Sequence, residues 1–136
     1  MKNAPVRIVL CADDDPDDRE LLCETINKID PEVKVIHADN GKRLLSKLKE
    51  LDSINVCPCL IILDMNMPIM DGRQTLIEIK KNPGWGSIPV AIFTTSQREL
   101  YRQLECEYGI NVVTKPAKYA AIITEVTQLL SYCKAA

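Results

Sequence analysis

The stretch LIILDMNMP, residues 60–68, brings four aliphatic residues directly up to an aspartate, Asp64. Other short apolar runs, rich in β-branched residues and bounded by turn-forming residues, are VRIVLCA at 6–12, VKVIHA at 33–38, PVAIFT at 89–94 and INVVT at 110–114. These runs are mostly continuous rather than alternating, which is typical of strands covered on both faces in a parallel sheet. The sequence therefore predicts five buried strands, the third of which ends in a carboxylate.

Segments with helical periodicity separate these runs, and residues at their ends indicate where helices begin and stop. Asp15 is expected to cap a helix that starts at Pro16. The sequence SQRE at 96–99 predicts a capping box, and Gly109 is expected to end the helix that follows. Repeated strand-helix units predict an α/β fold with an open, doubly wound parallel sheet, since a barrel typically needs about 250 residues.

The composition excludes several classes of function. At 136 residues the chain fits one domain, and 46% hydrophobic with 26% charged residues is ordinary for a soluble globular protein. A net charge of −2 offers no basic surface for nucleic acid or membrane. The sequence shows neither a signal peptide nor an apolar run of about 18 residues, so we expect a cytoplasmic protein.

The six cysteines do not follow a spacing typical of a metal or redox site. Cys57 and Cys59 form a C-x-C rather than a C-x-x-C pair, and His37 is the single histidine of the sequence. Cysteines with aliphatic neighbours in a cytoplasmic protein are most simply small buried apolar residues. We therefore expect no disulfide framework and no metal bound by these thiols.

Charged and hydroxyl side chains stand where four of the predicted strands end. Asp13 and Asp14 follow the first strand, Asp64 ends the third, Thr94 lies in the end of the fourth, and Lys115 follows the fifth. Ligands of open parallel sheets bind at the carboxyl ends of the strands, so these side chains are expected to converge there. Crowded carboxylates repel one another, and a bound divalent cation relieves the repulsion. Oxygen ligands in a site open to solvent favour Mg²⁺.

This constellation, in this order, resembles the receiver domain of two-component response regulators. The residues that carry the resemblance are Asp13-Asp14, the run DMNMPIMDG at 64–72, Thr94 and Lys115-Pro116. It implies a flavodoxin-like (βα)5 fold, a doubly wound five-stranded parallel sheet with strand order 2-1-3-4-5. It also implies a single receiver domain over residues 1–136, with a core at about 6–133.

The resemblance implies a chemical role for Asp64 and its acidic neighbours. Asp64 is the expected phosphoacceptor, which takes a phosphoryl group from a histidine of a kinase or of a histidine phosphotransfer protein. Asp13, Asp14 and Asp64 are expected to hold Mg²⁺, together with the backbone carbonyl of Asn66.

Two further residues are expected to contact the phosphoryl group itself. Thr94 would donate a hydrogen bond to one phosphoryl oxygen, and Lys115 would pair with another. One position departs from the family pattern, because many receivers carry Tyr or Phe three residues before the lysine, where this chain has Val112. The resemblance therefore predicts the phosphorylation site but not the usual aromatic switch.

The implied function is a stand-alone receiver, a phosphorylation-dependent switch that turns over no external substrate. We expect no output domain in this chain, and a downstream protein is the expected target. We expect a monomer, or a phosphorylation-dependent homodimer formed through the fourth helix, fifth strand and fifth helix. Two alternatives stay open: a degenerate receiver that binds independently of phosphorylation, and a receiver fragment of a longer regulator. A phosphatase of the haloacid dehalogenase type is disfavoured, because Asn66 replaces the second aspartate of its D-x-D motif.

Overall fold

The computed structural model describes residues 7–94, 102–115 and 119–133, in which strands and helices alternate. None of the helices in these ranges is both long and apolar enough to span a membrane. The elements, in chain order, are β1 Arg7–Ala12, α1 Pro16–Ile29, β2 Val33–Ala38, α2 Gly41–Ser53, β3 Leu60–Asp64, α3 Gly72–Lys81, β4 Val90–Thr94, α4 Arg102–Tyr108, β5 Asn111–Thr114, α5 Tyr119–Leu129 and a 3₁₀ helix Leu130–Cys133.

All five strands pair in parallel, in the order β2-β1-β3-β4-β5. β1 lies next to the central strand β3, β2 lies on the other side of β1, and β4 and β5 follow β3 outwards. The predicted flavodoxin-like fold and its strand order are therefore confirmed. Ala12 pairs with Leu63, and Thr94 pairs with Thr114, so the strands end at nearly the same level. Residues that follow those ends meet along one edge of the sheet.

Neighbouring residues of each strand point into two separate hydrophobic cores. In β3, Ile61 and Leu63 belong to the core beneath α2, α3 and α4, whereas Leu60 and Ile62 belong to the core beneath α1 and α5. Burying each of these side chains contributes about 1.5–3 kcal/mol. Because helices cover both faces, β3 has no exposed residue, which explains its uninterrupted apolar sequence.

Side-chain and backbone caps fix the ends of the helices. Asp15 accepts hydrogen bonds from the N–H groups of Asp17 and Asp18 at 2.8 and 3.3 Å, as the sequence predicts. Gly109 ends α4 with a φ of 65°, and its N–H donates to the carbonyl of Glu105. The capping box predicted at 96–99 lies outside the described residues.

The loop between β3 and α3 is held tightly against the end of β3. Asp71 and Gln74 form a capping box that fixes the start of α3. The N–H of Gly72 donates to the carbonyl oxygen of Met65 at 2.9 Å, and a Cβ on Gly72 would collide with the carbonyl oxygen of Asp64. Only glycine fits there, so the start of α3 packs directly on the backbone of Asp64.

Ile69, in the middle of this loop, has a backbone conformation that is rare for a β-branched residue. Its φ is 70°, and the N–H of Met70 donates to the carbonyl of Pro68 at 2.7 Å, which closes a γ-turn around Ile69. The carbonyl of Met70 accepts from the N–H of Gly41, at the start of α2, at 3.2 Å. The turn is thus fixed from both sides while the Ile69 side chain stays 76% exposed. The surrounding structure therefore imposes the strain.

Replacing Ile69 by Asn is expected to stabilise the protein, because Asn adopts positive φ far more readily than Ile does. The expected gain in the free energy of unfolding is about 1 kcal/mol, or about 3 °C in Tm by thermal unfolding. Ile54→Asn is the matched control, since Ile54 is also exposed but has an ordinary φ of −111°. Equal shifts in Tm for both variants would contradict the assigned strain.

The sequence-based prediction for the cysteines is wrong for Cys59 and Cys133. Cys59, immediately before β3, forms a disulfide with Cys133 of the 3₁₀ helix, 74 positions later, with their Cα atoms 5.0 Å apart. Of the other cysteines Cys11 is buried, whereas Cys57 and Cys106 are exposed. Sequence spacing could not reveal the bond, because only the folding of the 3₁₀ helix back against the sheet brings the two sulfurs together.

Cys59→Ser is expected to lower the free energy of unfolding by about 2–4 kcal/mol, because the bond closes a long loop and restricts the unfolded chain. The corresponding fall in Tm is about 10 °C. Reductant should lower the Tm of the unmodified protein by a similar amount and leave that of Cys59→Ser unchanged. Cys106→Ser, which removes an exposed free thiol, should change little in either condition. If reductant left the Tm of the unmodified protein unchanged, the disulfide between Cys59 and Cys133 would be refuted.

Candidate functional site

The fold brings the sequence-predicted residues together at the carboxyl edge of the sheet. Asp13 directly follows β1, where its N–H donates to the carbonyl of Ala38 at 3.1 Å and so extends the sheet beyond the strand. Asp64 and Thr94 are the last residues of β3 and β4, and both are buried. Lys115 follows β5, and its N–H donates to the carbonyl of Thr94 at 2.7 Å. Rigid strands therefore position each of these side chains.

The ammonium group of Lys115 lies among three carboxylates. Its Nζ is 3.0 Å from Asp13 Oδ2, 3.1 Å from Asp18 Oδ2 and 3.3 Å from Asp64 Oδ1. Asp13 and Asp64 were predicted to lie near this lysine, but Asp18, in the first turn of α1, was not. The one signal for it in the sequence was the acidic start of α1, which a helix cap explains equally well.

Three carboxylates form a cluster that could hold a metal ion. Oxygen atoms of Asp13, Asp14 and Asp64 all lie within 4.8 Å of one another. Asp13 and Asp64 are buried, whereas Asp14 is exposed, so the cluster is rigid on one side and open to solvent on the other. A set of oxygen donors open to water fits a hard divalent cation. Asn66 lies exposed in the loop after β3, and a role for its carbonyl oxygen stays a prediction.

The crowding of charges changes the acidity of the groups in the cluster. The pKa of Asp64 is raised to about 6, first because burial penalises its charged form and second because Asp13 is negative, while Lys115 offsets part of the effect. Burial alone would lower the pKa of Lys115, but its hydrogen bonds and ion pairs with the surrounding aspartates raise it overall. Lys115 therefore stays charged, whereas Asp64 gains a proton in mildly acidic solution.

Comparison with known families shows which family the chain belongs to. The model of the response regulator receiver domain matches residues 9–127. The chain belongs to the response regulator receiver family. Response regulator receivers are components of two-component signalling.

Individual relatives agree with the assignment to the receivers. Response regulator Rcp1 of Synechocystis is 33% identical over 97 residues, covering 70% of this chain and 66% of Rcp1. The structure of Mn²⁺-bound Rcp1 matches with a TM-score of 0.79 at 28% identity, covering 96% of each chain. That of the phosphorylated cyanobacterial phytochrome response regulator RcpA gives a TM-score of 0.82 at 26% identity, covering 96% of this chain and 94% of RcpA.

Some relatives are much longer than this receiver. A protein-glutamate methylesterase of Clostridium acetobutylicum is 33% identical over 113 residues, which cover 81% of this chain but 31% of the methylesterase. The chain thus spans about two thirds of Rcp1 and less than one third of that enzyme. The similarity to the methylesterase concerns a receiver-sized part of it.

The fifth strand of this receiver has an aliphatic residue where the sequence-based comparison expects an aromatic ring. Val112 is 2% exposed and pairs with Ile92 of β4. Its side chain belongs to the core beneath α2, α3 and α4, so the position is filled by packing and carries no ring near Thr94. Any coupling between Thr94 and this face of the receiver has to proceed without an aromatic side chain at this position.

Asp64→Asn is expected to stabilise the metal-free protein at neutral pH. The folded-state pKa of Asp64, about 6, lies above its ordinary value of 3.8, so protonated Asp64 favours folding and this contribution is lost as the pH rises through about 6. The variant should gain about 3 °C in Tm at pH 7.5 and much less at pH 4.5. Asp52→Asn, on the exposed side of α2, is the control. A gain that does not depend on pH would refute the assigned cause.

Proposed function

We propose that Asp64 is the phosphoacceptor of this receiver and takes a phosphoryl group from a phosphohistidine of a histidine kinase or a histidine phosphotransfer protein. The position of the Asp64 carboxylate is the observation that best supports this role. It ends a buried strand, lies 3.3 Å from the ammonium of Lys115 and has the oxygens of Asp13 and Asp14 within 4.8 Å. A carboxylate held this rigidly can be aligned with an incoming phosphoryl group.

The transfer breaks the P–N bond of the donor phosphohistidine and forms a P–O bond to a carboxylate oxygen of Asp64. Such transfers pass through a loose transition state in which positioning and charge neutralisation matter most. Lys115 would neutralise one phosphoryl oxygen, and Thr94 would donate its hydroxyl to another. Asp64 must be ionised to attack, which a pKa of about 6 allows at neutral pH.

The proposed ligands for Mg²⁺ are Asp13, Asp14, Asp64 and the backbone carbonyl of Asn66. When bound, Mg²⁺ would supply positive charge beside the acceptor carboxylate and the transferred phosphoryl oxygens. The oxygen-only donor set supports a hard cation of this kind. The existence of a Mn²⁺-bound form of Rcp1, a similar receiver, lends support to a divalent cation.

The proposed output is protein binding by a single receiver domain. A phosphoryl group on Asp64 would bias two conformations and so alter the surface of α4, β5 and α5. Through that surface the receiver would bind a downstream protein, either as a monomer or as a phosphorylation-dependent homodimer. The net charge of −2 supports a protein partner over nucleic acid or an acidic membrane surface.

A cytoplasmic location is part of the proposal, and the disulfide is the observation that opposes it. Structural disulfides are rare in reducing compartments.

A degenerate receiver that binds independently of phosphorylation is disfavoured, because a site that no longer accepts phosphate has no need of Lys115 and three clustered aspartates in one place.

The proposed function is tested by intact-mass spectrometry after incubation with Mg²⁺ and acetyl phosphate. The receiver should gain the mass of one phosphoryl group, and the gain should vanish with EDTA and in Asp64→Ala. Asp52→Ala, which removes an exposed aspartate on α2, is the matched control and should still be phosphorylated. A folded protein that binds Mg²⁺ and gains no mass from acetyl phosphate or from phosphorylated histidine kinases would instead support the degenerate receiver.

A further inference from the structure

Asp18 contacts the functional lysine but belongs to neither group of proposed functional residues. Its Oδ2 accepts a hydrogen bond from Lys115 Nζ at 3.1 Å, and the hydrogen bond from the same nitrogen to Asp13 is 3.0 Å long. Asp18 is absent from the acidic cluster that could hold a metal, which consists of Asp13, Asp14 and Asp64. Its side chain is 43% exposed, so it approaches the lysine from the rim of the site.

The start of α1 explains why Asp18, and not its neighbour, reaches the lysine. Asp15 and Pro16 fix the first turn of the helix, and Asp17 and Asp18 both follow in that turn. Successive residues of a helix point about 100° apart, so only one of the two can face the end of β5. Asp17 is exposed and is not among the carboxylates that surround Lys115 in the described part of the chain.

Three carboxylates surround the ammonium of Lys115, which donates hydrogen bonds to Asp13 and Asp18 and forms an ion pair with Asp64. An ammonium group has three N–H donors, and Asp13, Asp18 and Asp64 lie 3.0, 3.1 and 3.3 Å from its nitrogen. A phosphoryl oxygen on Asp64 would replace the contact with the Asp64 carboxylate, and it would compete with Asp13 and Asp18, whose hydrogen bonds hold the ammonium of Lys115. The two hydrogen bonds tie Lys115 to Asp13 and to the start of α1, whereas the contact with Asp64 is an ion pair.

We propose that Asp18 is a positioning residue that competes with the phosphoryl group for Lys115 and thereby slows the phosphorylation of Asp64. This inference rests on the proposed function and adds a control on its rate. Asp18 also adds a negative charge at the rim of a site that receives anionic donors. Because its side chain is partly exposed, water and salt screen that charge, and the effect is moderate and sensitive to ionic strength.

Asp18→Asn keeps the size of the side chain and removes the charge that competes for Lys115. We expect its phosphorylation by acetyl phosphate, at saturating Mg²⁺ and low salt, to be about three- to tenfold faster than that of the unmodified protein. Asp17→Asn removes the same charge one position away and should change the rate less than twofold. Asp18→Glu restores the carboxylate and should return the rate towards the original value. At about 1 M salt the advantage of Asp18→Asn should shrink.

Equilibrium binding separates competition for the lysine from a general structural effect. In Asp18→Asn, Lys115 is free to approach Asp64, so the affinity for the phosphoryl mimic beryllofluoride, at saturating Mg²⁺, should rise by a factor similar to the rate. The affinity for Mg²⁺ alone, measured by calorimetry, should fall or stay equal, because a negative charge is lost and the lysine moves closer to the metal-binding carboxylates. A merely structural role would weaken both.

The two proposals fail in different ways. If the unmodified protein and Asp17→Asn are phosphorylated but Asp18→Asn reacts no faster, the role of Asp18 is overturned and the function of Asp64 stands. If no variant that retains Asp64 is phosphorylated by acetyl phosphate or by a phosphorylated kinase, both proposals fall. Thermal unfolding verifies that Asp18→Asn is folded. If it is not, Asp18→Ala, which also removes the competing charge, is compared with Asp17→Ala and should again be phosphorylated faster.

Discussion

The contact between Asp64 and Lys115 is the interaction on which the acidic edge of the sheet depends. Asp64 is one of three clustered carboxylates, and burial together with their mutual repulsion raises its pKa to about 6. The ammonium 3.3 Å away offsets part of that repulsion and keeps the carboxylates close. Without this cation the cluster would have to protonate, spread apart or bind a metal ion. The same contact places a fixed positive charge beside the carboxylate that we propose as the phosphoacceptor.

The strand register and the β3–α3 loop hold this charged cluster in place. β1, β3 and β5 run in parallel, which levels their carboxyl ends and lets two residues 51 positions apart, Asp13 and Asp64, share one lysine. Gly72 packs the start of α3 on the backbone of Asp64, and the γ-turn at Ile69 keeps the loop compact. Crowded charge and a strained turn both oppose stability, and they are concentrated where a function needs a fixed geometry.

Different interactions stabilise the two ends of the sheet. At the carboxyl end, carboxylates and a lysine leave a polar edge that is partly open to water. At the opposite end the Cys59–Cys133 disulfide fastens the 3₁₀ helix to the start of β3, and Arg7 donates to the carbonyl of Cys133 at 3.1 Å and pairs with Asp30 at 2.7 Å. These contacts thus fix the two ends of the described core, Arg7 and Cys133, at the end of the sheet opposite the acidic edge.

The sequence by itself determined which residues form strands, where α1 begins and α4 ends, and which side chains follow the strands. It could do so because apolar runs, caps and strand-end residues are local patterns, and because parallel strands place their carboxyl ends on one edge. Only the tertiary structure decided that Asp18 rather than Asp17 contacts Lys115, that Cys59 bonds to Cys133 and that Ile69 sits at positive φ. These features depend on the rotation of a helix, the return of a distant segment and the closure of a loop between fixed ends. Each is set by packing between parts of the chain that are remote in sequence, so no local pattern records it.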